Sequence, residues 1–254
     1  MENINQILVE LKNITAGYSA EIALNAVNLK IRENDFIGII GPNGGGKTTL
    51  VKVILGLLKP FKGEVINQLN GTNKKKSIGY LPQINFIDKK FPISVRDVVL
   101  SGFMEKEKLI NKFTTEEKQT ALSLMENMGI SHLKKKPIGE LSGGQLQRVF
   151  LSRAVVSSPE LLILDEPNTF VDNRFESELY EKLKELNKSM AILIISHDVG
   201  MISPYVKTIA CVNKELHYHD SNVISEKQLQ DYNCPIQLIT HGEVPHTVLG
   251  KHVH

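Results

Sequence analysis

Gly41, Gly46, Lys47 and Thr48 stand at the spacing G-x-x-x-x-G-K-[ST], inside the run Gly41-Pro42-Asn43-Gly44-Gly45-Gly46-Lys47-Thr48-Thr49. Those residue types suit a chain of phosphates. Glycines let backbone N–H groups converge on phosphate oxygens without Cβ clashes. A helix starting just beyond them adds partial positive charge. Lys47 supplies a full charge for the β- and γ-phosphates, and the Thr48 hydroxyl can ligate Mg²⁺. The pair Asp165-Glu166 is the matching acidic element. Asp165 would hold the metal, directly or through water, and Glu166 is the candidate base that orients and activates an attacking water.

Simple periodicities place these residues. Phe36 to Ile40 is an apolar run suited to a buried strand, and Leu50, Val53, Ile54 and Leu57 recur at the spacing of one helix face, so strand, glycine-rich turn and helix follow in order. Leu161 to Leu164, after the Pro159 breaker, read as a central parallel strand with Asp165 at its carboxyl end, where such sheets carry their sites. Ala191 to Ile195 read as a third strand that puts His197 on the same edge. Position alone leaves His197 open between a structural and a catalytic role. A second glycine-bearing helix start, Leu141-Ser142-Gly143-Gly144-Gln145, precedes a face of Leu146, Val149 and Phe150, so its amides and dipole also suit phosphate.

Between these motifs the chain turns helical. Thr114 to Glu117 offers a capping box, Ala121, Leu122, Met125 and Met128 form a stripe of ordinary core, and Gly129 is placed to end the helix. The 254 residues, 41% of them hydrophobic, can bury one sizeable α/β core with a subdomain. A net charge of +2 and a pI near 8.4 are too balanced for a nucleic-acid binder, whose basic domain exceeds pI ~9. Cys211 and Cys234 lack a partner motif, so neither a disulfide framework nor a CxxC zinc site is expected. With no apolar stretch near ~20 residues, membrane association is expected only through a partner. His217, His219, His241, His246, His252 and His254 crowd the C-terminal segment. That composition invites metal binding, whereas the His217/His219 and His252/His254 spacings lack a structural-zinc pattern and point to an ordinary frayed end.

Taken in order, an aromatic, the glycine-rich loop, a glutamine, Leu-Ser-Gly-Gly-Gln, Asp-Glu-Pro, an aspartate and a histidine resemble the nucleotide-binding subunit of an ATP-binding cassette (ABC) transporter, over roughly residues 7 to 215. The resemblance implies ATP and Mg²⁺ as cofactors, with Tyr18 stacking on adenine and Gln83 sensing γ-phosphate and metal. It also assigns Ser142, Gly143, Gly144 and Gln145 as the signature, Asp172 as the acidic loop across a dimer, and His197 as the switch histidine. In that family the signature of one cassette completes the P-loop of another, so a head-to-tail homodimer is implied. The other implied partners are integral-membrane permease subunits on whose cytoplasmic face the cassette sits and, indirectly, an extracytoplasmic solute-binding protein. Val171 stands where leucine is frequent in the acidic loop, which touches only the packing beside Asp172.

The implied fold is a P-loop α/β core with a mostly parallel sheet, an N-terminal antiparallel β portion and an inserted helical subdomain at approximately 88–155, giving an ATPase domain over 1–215 and a His-containing tail over 216–254. Phe91-Pro92-Ile93-Ser94-Val95-Arg96-Asp97-Val98-Val99 is similar to cassettes that import zinc or manganese. Iron-chelate and other small-solute importers share the catalytic motifs and stand as the alternative. Soluble DNA-maintenance ATPases of the superfamily carry long coiled coils or zinc modules between Lys47 and Leu141, and translation regulators carry two cassettes per chain. This chain has a compact insert and one cassette.

Overall fold

The computed structural model describes residues 6–19, 21–70, 78–83, 91–104, 113–167, 173–219, 221, 236–240 and 245–249. Two long strands open the chain, β1 (Ile7–Tyr18) and β2 (Glu21–Arg32), then β3 (Phe36–Ile40), helix α1 (Lys47–Ile54) and β4 (Lys62–Asn67). β1 pairs antiparallel with both β2 and β4, which makes a three-stranded sheet. β5 (Ile78–Leu81) leads into helices α2 (Val95–Leu100), α3 (Thr115–Asn127) and α4 (Gly143–Val155). There follow β6 (Leu161–Asp165), α5 (Asn173–Leu186), β7 (Ala191–Ile195), α6 (Val199–Ile202), β8 (Thr208–Asn213) and β9 (Glu215–His219), then the hairpin β10 (Ile236–Thr240) and β11 (Pro245–Leu249).

The main sheet runs in the order β5-β6-β7-β3-β8-β9. Its first five strands are parallel and β9 returns antiparallel to β8. β3, β6 and β7 are buried at every residue, the signature of strands covered on both faces. Alternation then builds two cores. Ile37, Ile39, Leu161, Ile163, Leu193 and Ile195 face α1 and the antiparallel sheet. Phe36, Ile40, Leu162, Leu164, Ile192 and Ile194 face the helical side, with Val149 and Leu151 of α4 and Met125 of α3.

Two expectations change. The α1 face ends at Ile54, because Gly56 adopts φ 69 and turns the chain, so Leu57 lies off the helix and is 70% exposed. The expected tail boundary at 216 falls inside β9, whose Leu216 and His217 pair with Val212 and Cys211 in the main sheet. Further on, β11 runs against α6. Among the described residues no helix is long and apolar enough to cross a membrane.

Candidate active site

The glycine-rich loop is pressed between two backbones. Gly46 has φ 103, and a Cβ there would stand 2.5 Å from the Ala23 carbonyl oxygen of β2. At Gly41, φ 151, a Cβ would stand 2.0 Å from the Val212 carbonyl oxygen of β8. Only glycine fits either place. The Lys214 N–H, in the β8–β9 turn, donates to the Gly45 carbonyl at 2.9 Å and anchors the loop from far along the chain. Lys47 is buried, with its ammonium donating to the Gly41 and Pro42 carbonyls at 2.8 Å each. Thr49 is buried behind it, while Thr48, Asn43 and Gly44 are exposed. α1 opens on Gly46 with no side-chain cap hydrogen bond, and its first turn follows directly from the loop.

The acidic pair sits beside this loop. Asp165 is the last residue of β6 and is buried. Burial pushes its carboxyl above the usual range and the neighbouring Glu166 charge adds to that, against a hydrogen bond from Tyr80 and the charges of Lys47 and Lys52. Glu166 takes φ 47, its N–H donates to the Ile195 carbonyl at 3.1 Å, and Gln83 Nε2 donates to its Oε2 at 2.7 Å. His197 follows β7, which lies between β6 and β3, so the strand order itself carries it to the edge shared by Asp165 and the loop. Its ring is exposed, and the preceding Ser196 N–H donates to the Ile39 carbonyl at 3.0 Å.

Tyr18, at the end of β1, is 47% exposed. Lys52, one turn beyond Thr48, donates to its hydroxyl at 2.9 Å and lies 5.1 Å from the ring centroid. Ser142 caps α4 reciprocally: the Gln145 N–H donates to its hydroxyl at 3.3 Å and its own N–H donates to Gln145 Oε1 at 3.1 Å. Gly143 and Gly144 form the first turn. α4 packs on the face of the sheet opposite α1, so the chain does not bring Ser142 to its own Lys47 loop. Asp172 lies outside the described residues. Two neighbours escaped the sequence reading. Lys52 carried only a helical spacing from Thr48, and Tyr80 sat unremarked in Tyr80-Leu81-Pro82-Gln83. Tyr80 reaches Asp165 through its hydroxyl, and burial together with the Asp165 charge pushes its phenol up to about 12.

The ABC transporter family model matches residues 24–169. A Thermotoga maritima protein named "Probable metal transport system ATP-binding protein" is 35% identical over 246 residues, covering 94% of this chain and 97% of that protein. The zinc import ATP-binding protein ZnuC of Haemophilus influenzae is 40% identical over 217 residues, 85% of this chain and 75% of that one. The manganese transport system ATP-binding protein MntB of Listeria monocytogenes is 36% identical over 226 residues, 87% and 94% of the two chains. Among solved structures, an ABC transporter in an inward-facing conformation, described as metal-chelate type, matches with TM-score 0.78 at 25% identity, covering 95% of this chain and 96% of that one. A dimeric ATP-binding cassette in a post-hydrolysis state with ADP and Pi matches with TM-score 0.69 at 27% identity, covering 85% of this chain and all of the other. With the glycine-rich loop, the acidic pair and the two-faced sheet in their places, these likenesses show that the chain belongs to the ABC transporter family, as an ATP-hydrolysing, ATP-binding subunit.

Proposed function

We propose that this chain powers import of a divalent metal ion, zinc or manganese, by hydrolysing ATP in a head-to-tail homodimer bound to a separate membrane permease. The observation that carries the dimer is the placement of two phosphate-suited helix starts, α1 and α4, on opposite faces of one sheet. A nucleotide on Lys47 of one copy is completed by Ser142, Gly143, Gly144 and Gln145 of a second, with Asp172 at the seam. The solved dimeric cassette with ADP and Pi supports a cassette that works as a dimer.

The residues fit a magnesium nucleotide. The loop around Lys47 is shaped by glycines that a Cβ would fill, and the nearby donors are hard oxygens, the Thr48 hydroxyl and the buried Asp165 carboxylate. Thr48, Asp165 and the Gln83 amide would hold Mg²⁺, which supplies neutralisation of phosphate charge when bound. Lys47 leaves its loop carbonyls for the β- and γ-phosphates, and Tyr18 offers a face to adenine. Glu166, oriented by Gln83, receives the proton of the attacking water. His197 stands over the same edge as the switch residue. In this reading the helical subdomain faces the permease, and the protein works as a peripheral subunit at the cytoplasmic face of the membrane. An extracytoplasmic binding protein would deliver the solute.

Relatives named for zinc and for manganese support the cargo class. The metal-chelate type transporter keeps a small-solute importer as the second reading. Co-purification with a candidate permease, followed by uptake assays, tests the proposal. Zinc or manganese uptake should stop when this subunit is inactivated. Uptake of a chelate with no free-ion transport would favour the second reading, and a chain that pairs with no permease would end both.

A further inference from the structure

The edge strand β5 and the residues just after it bring two side chains to the acidic pair, Tyr80 and Gln83, and only Gln83 belongs to the expected set. Tyr80 pairs in register with Ile163 of β6, and Asp165 lies two residues beyond Ile163. With side chains alternating along strands, Tyr80, Ile163 and Asp165 share one face, the face that carries α1. A diagonal neighbour of this kind is within reach of an aromatic ring. The Tyr80 hydroxyl donates to Asp165 Oδ2 at 3.5 Å.

We propose that Tyr80 is a positioning residue for magnesium binding, its phenol occupying one oxygen of Asp165 and turning the other toward the metal of the bound nucleotide. A buried carboxylate must find partners for both oxygens. A free rotor would have to be ordered each time a metal bound, whereas a carboxylate held by a phenol is already oriented. β5 and the turn after it thus hold both carboxylates, Asp165 through Tyr80 and Glu166 through Gln83. Phenylalanine would fill the same packing space against Ile163 and lose only this bond.

The inference rests on the reading of Asp165 as a metal holder, so the experiment carries Asp165→Asn beside Tyr80→Phe in the full chain. ATP binding is measured by calorimetry in EDTA and across a Mg²⁺ titration, and turnover across the same titration. For Tyr80→Phe, affinity in EDTA should stay within about twofold of wild type. The Mg²⁺ concentration giving half-maximal tightening of ATP should rise about tenfold, the low end for loss of a partner to a metal ligand. Turnover should follow the same shift and recover at saturating Mg²⁺. A thermal midpoint close to wild type would show that packing is intact. Superimposable Mg²⁺ curves for Tyr80→Phe and wild type, with Asp165→Asn shifted, would overturn the role of Tyr80 alone. Unshifted curves for both variants would overturn the metal reading of Asp165 as well. Equal loss of affinity in EDTA and in Mg²⁺ would mark Tyr80 as a support of the loop and also overturn the proposal.

Discussion

The starts of α1 and α4 are both rich in glycine, yet they are finished differently. α1 opens on Gly46, in a left-handed conformation with no side-chain cap, whereas α4 opens on Ser142 in a closed capping box with Gln145. An uncapped start leaves amides for a ligand; a boxed one has satisfied donors of its own. In the proposed dimer the loop before α1 takes the nucleotide of its own subunit. The signature holds its hydroxyl in an internal bond, and in that proposal it meets phosphate only when another subunit's nucleotide is brought against it.

The largest effect on this comparison should come from the α1 side. Glu166→Gln keeps the Gln83 neighbourhood but removes the base, and such losses cost ~10²- to 10⁴-fold in rate, about 3 to 5 kcal/mol of barrier. ATP binding should persist and the ATP-bound dimer should accumulate, visible by size-exclusion chromatography with light scattering. Turnover near wild type would remove Glu166 from the chemistry. On the α4 side, Ser142→Arg should leave ATP affinity of dilute monomer within about twofold while turnover falls about 10²-fold, the scale of one lost transition-state donor. If monomer affinity fell in step with turnover, Ser142 would belong to its own subunit's pocket and the contrast would collapse.

A third helix start calibrates the second. α3 opens on Thr114 with the same reciprocal box to Glu117, at 3.1 and 2.8 Å, and carries no proposed ligand. Thr114→Ala and Ser142→Ala should each lower unfolding free energy by about 1 kcal/mol in urea titrations. Only Ser142→Ala should also slow ATP-dependent turnover. Equal turnover in the two variants would mean that the Ser142 hydroxyl serves the helix and nothing more.

Local chemistry was legible in the sequence and long-range pairing was not. The box at Thr114 and the stop at Gly129, which takes φ 69, follow from neighbours within one or two helical turns. Asp165 at a strand end followed from the Pro159 breaker and four aliphatic residues. By contrast β9 reads as polar and histidine-rich, and only pairing with β8 makes it a strand of the main sheet. The bond from Lys214 to Gly45 and that from Tyr80 to Asp165 depend on register between segments distant in sequence, which no local pattern encodes. Leu57 fitted the helix period, and the positive φ of Gly56 removed it.

The smallest expected effect compares the two ends of the main sheet. Asp35 precedes β3 at the edge opposite Asp165, and burial raises its carboxyl too, outweighing the Arg32 backbone bond at 2.6 Å and the charges of Lys207 and Arg32. Both aspartates are strained as anions, but only Asp165 has a cation to receive in the proposed reaction. An aspartate whose folded pKa lies above the ordinary 3.8 contributes stability that is fully present below that value and lost as pH rises through the folded one. Asp35→Asn keeps an oxygen to accept the Arg32 N–H and discards the charge. The variant should therefore melt higher than wild type at neutral pH, with the gain shrinking as pH falls through the Asp35 pKa, and its ATPase should be unchanged. A gain that does not depend on pH would assign the effect to packing, and a loss at neutral pH would show that the Lys207 and Arg32 charges outweigh burial at this end of the sheet.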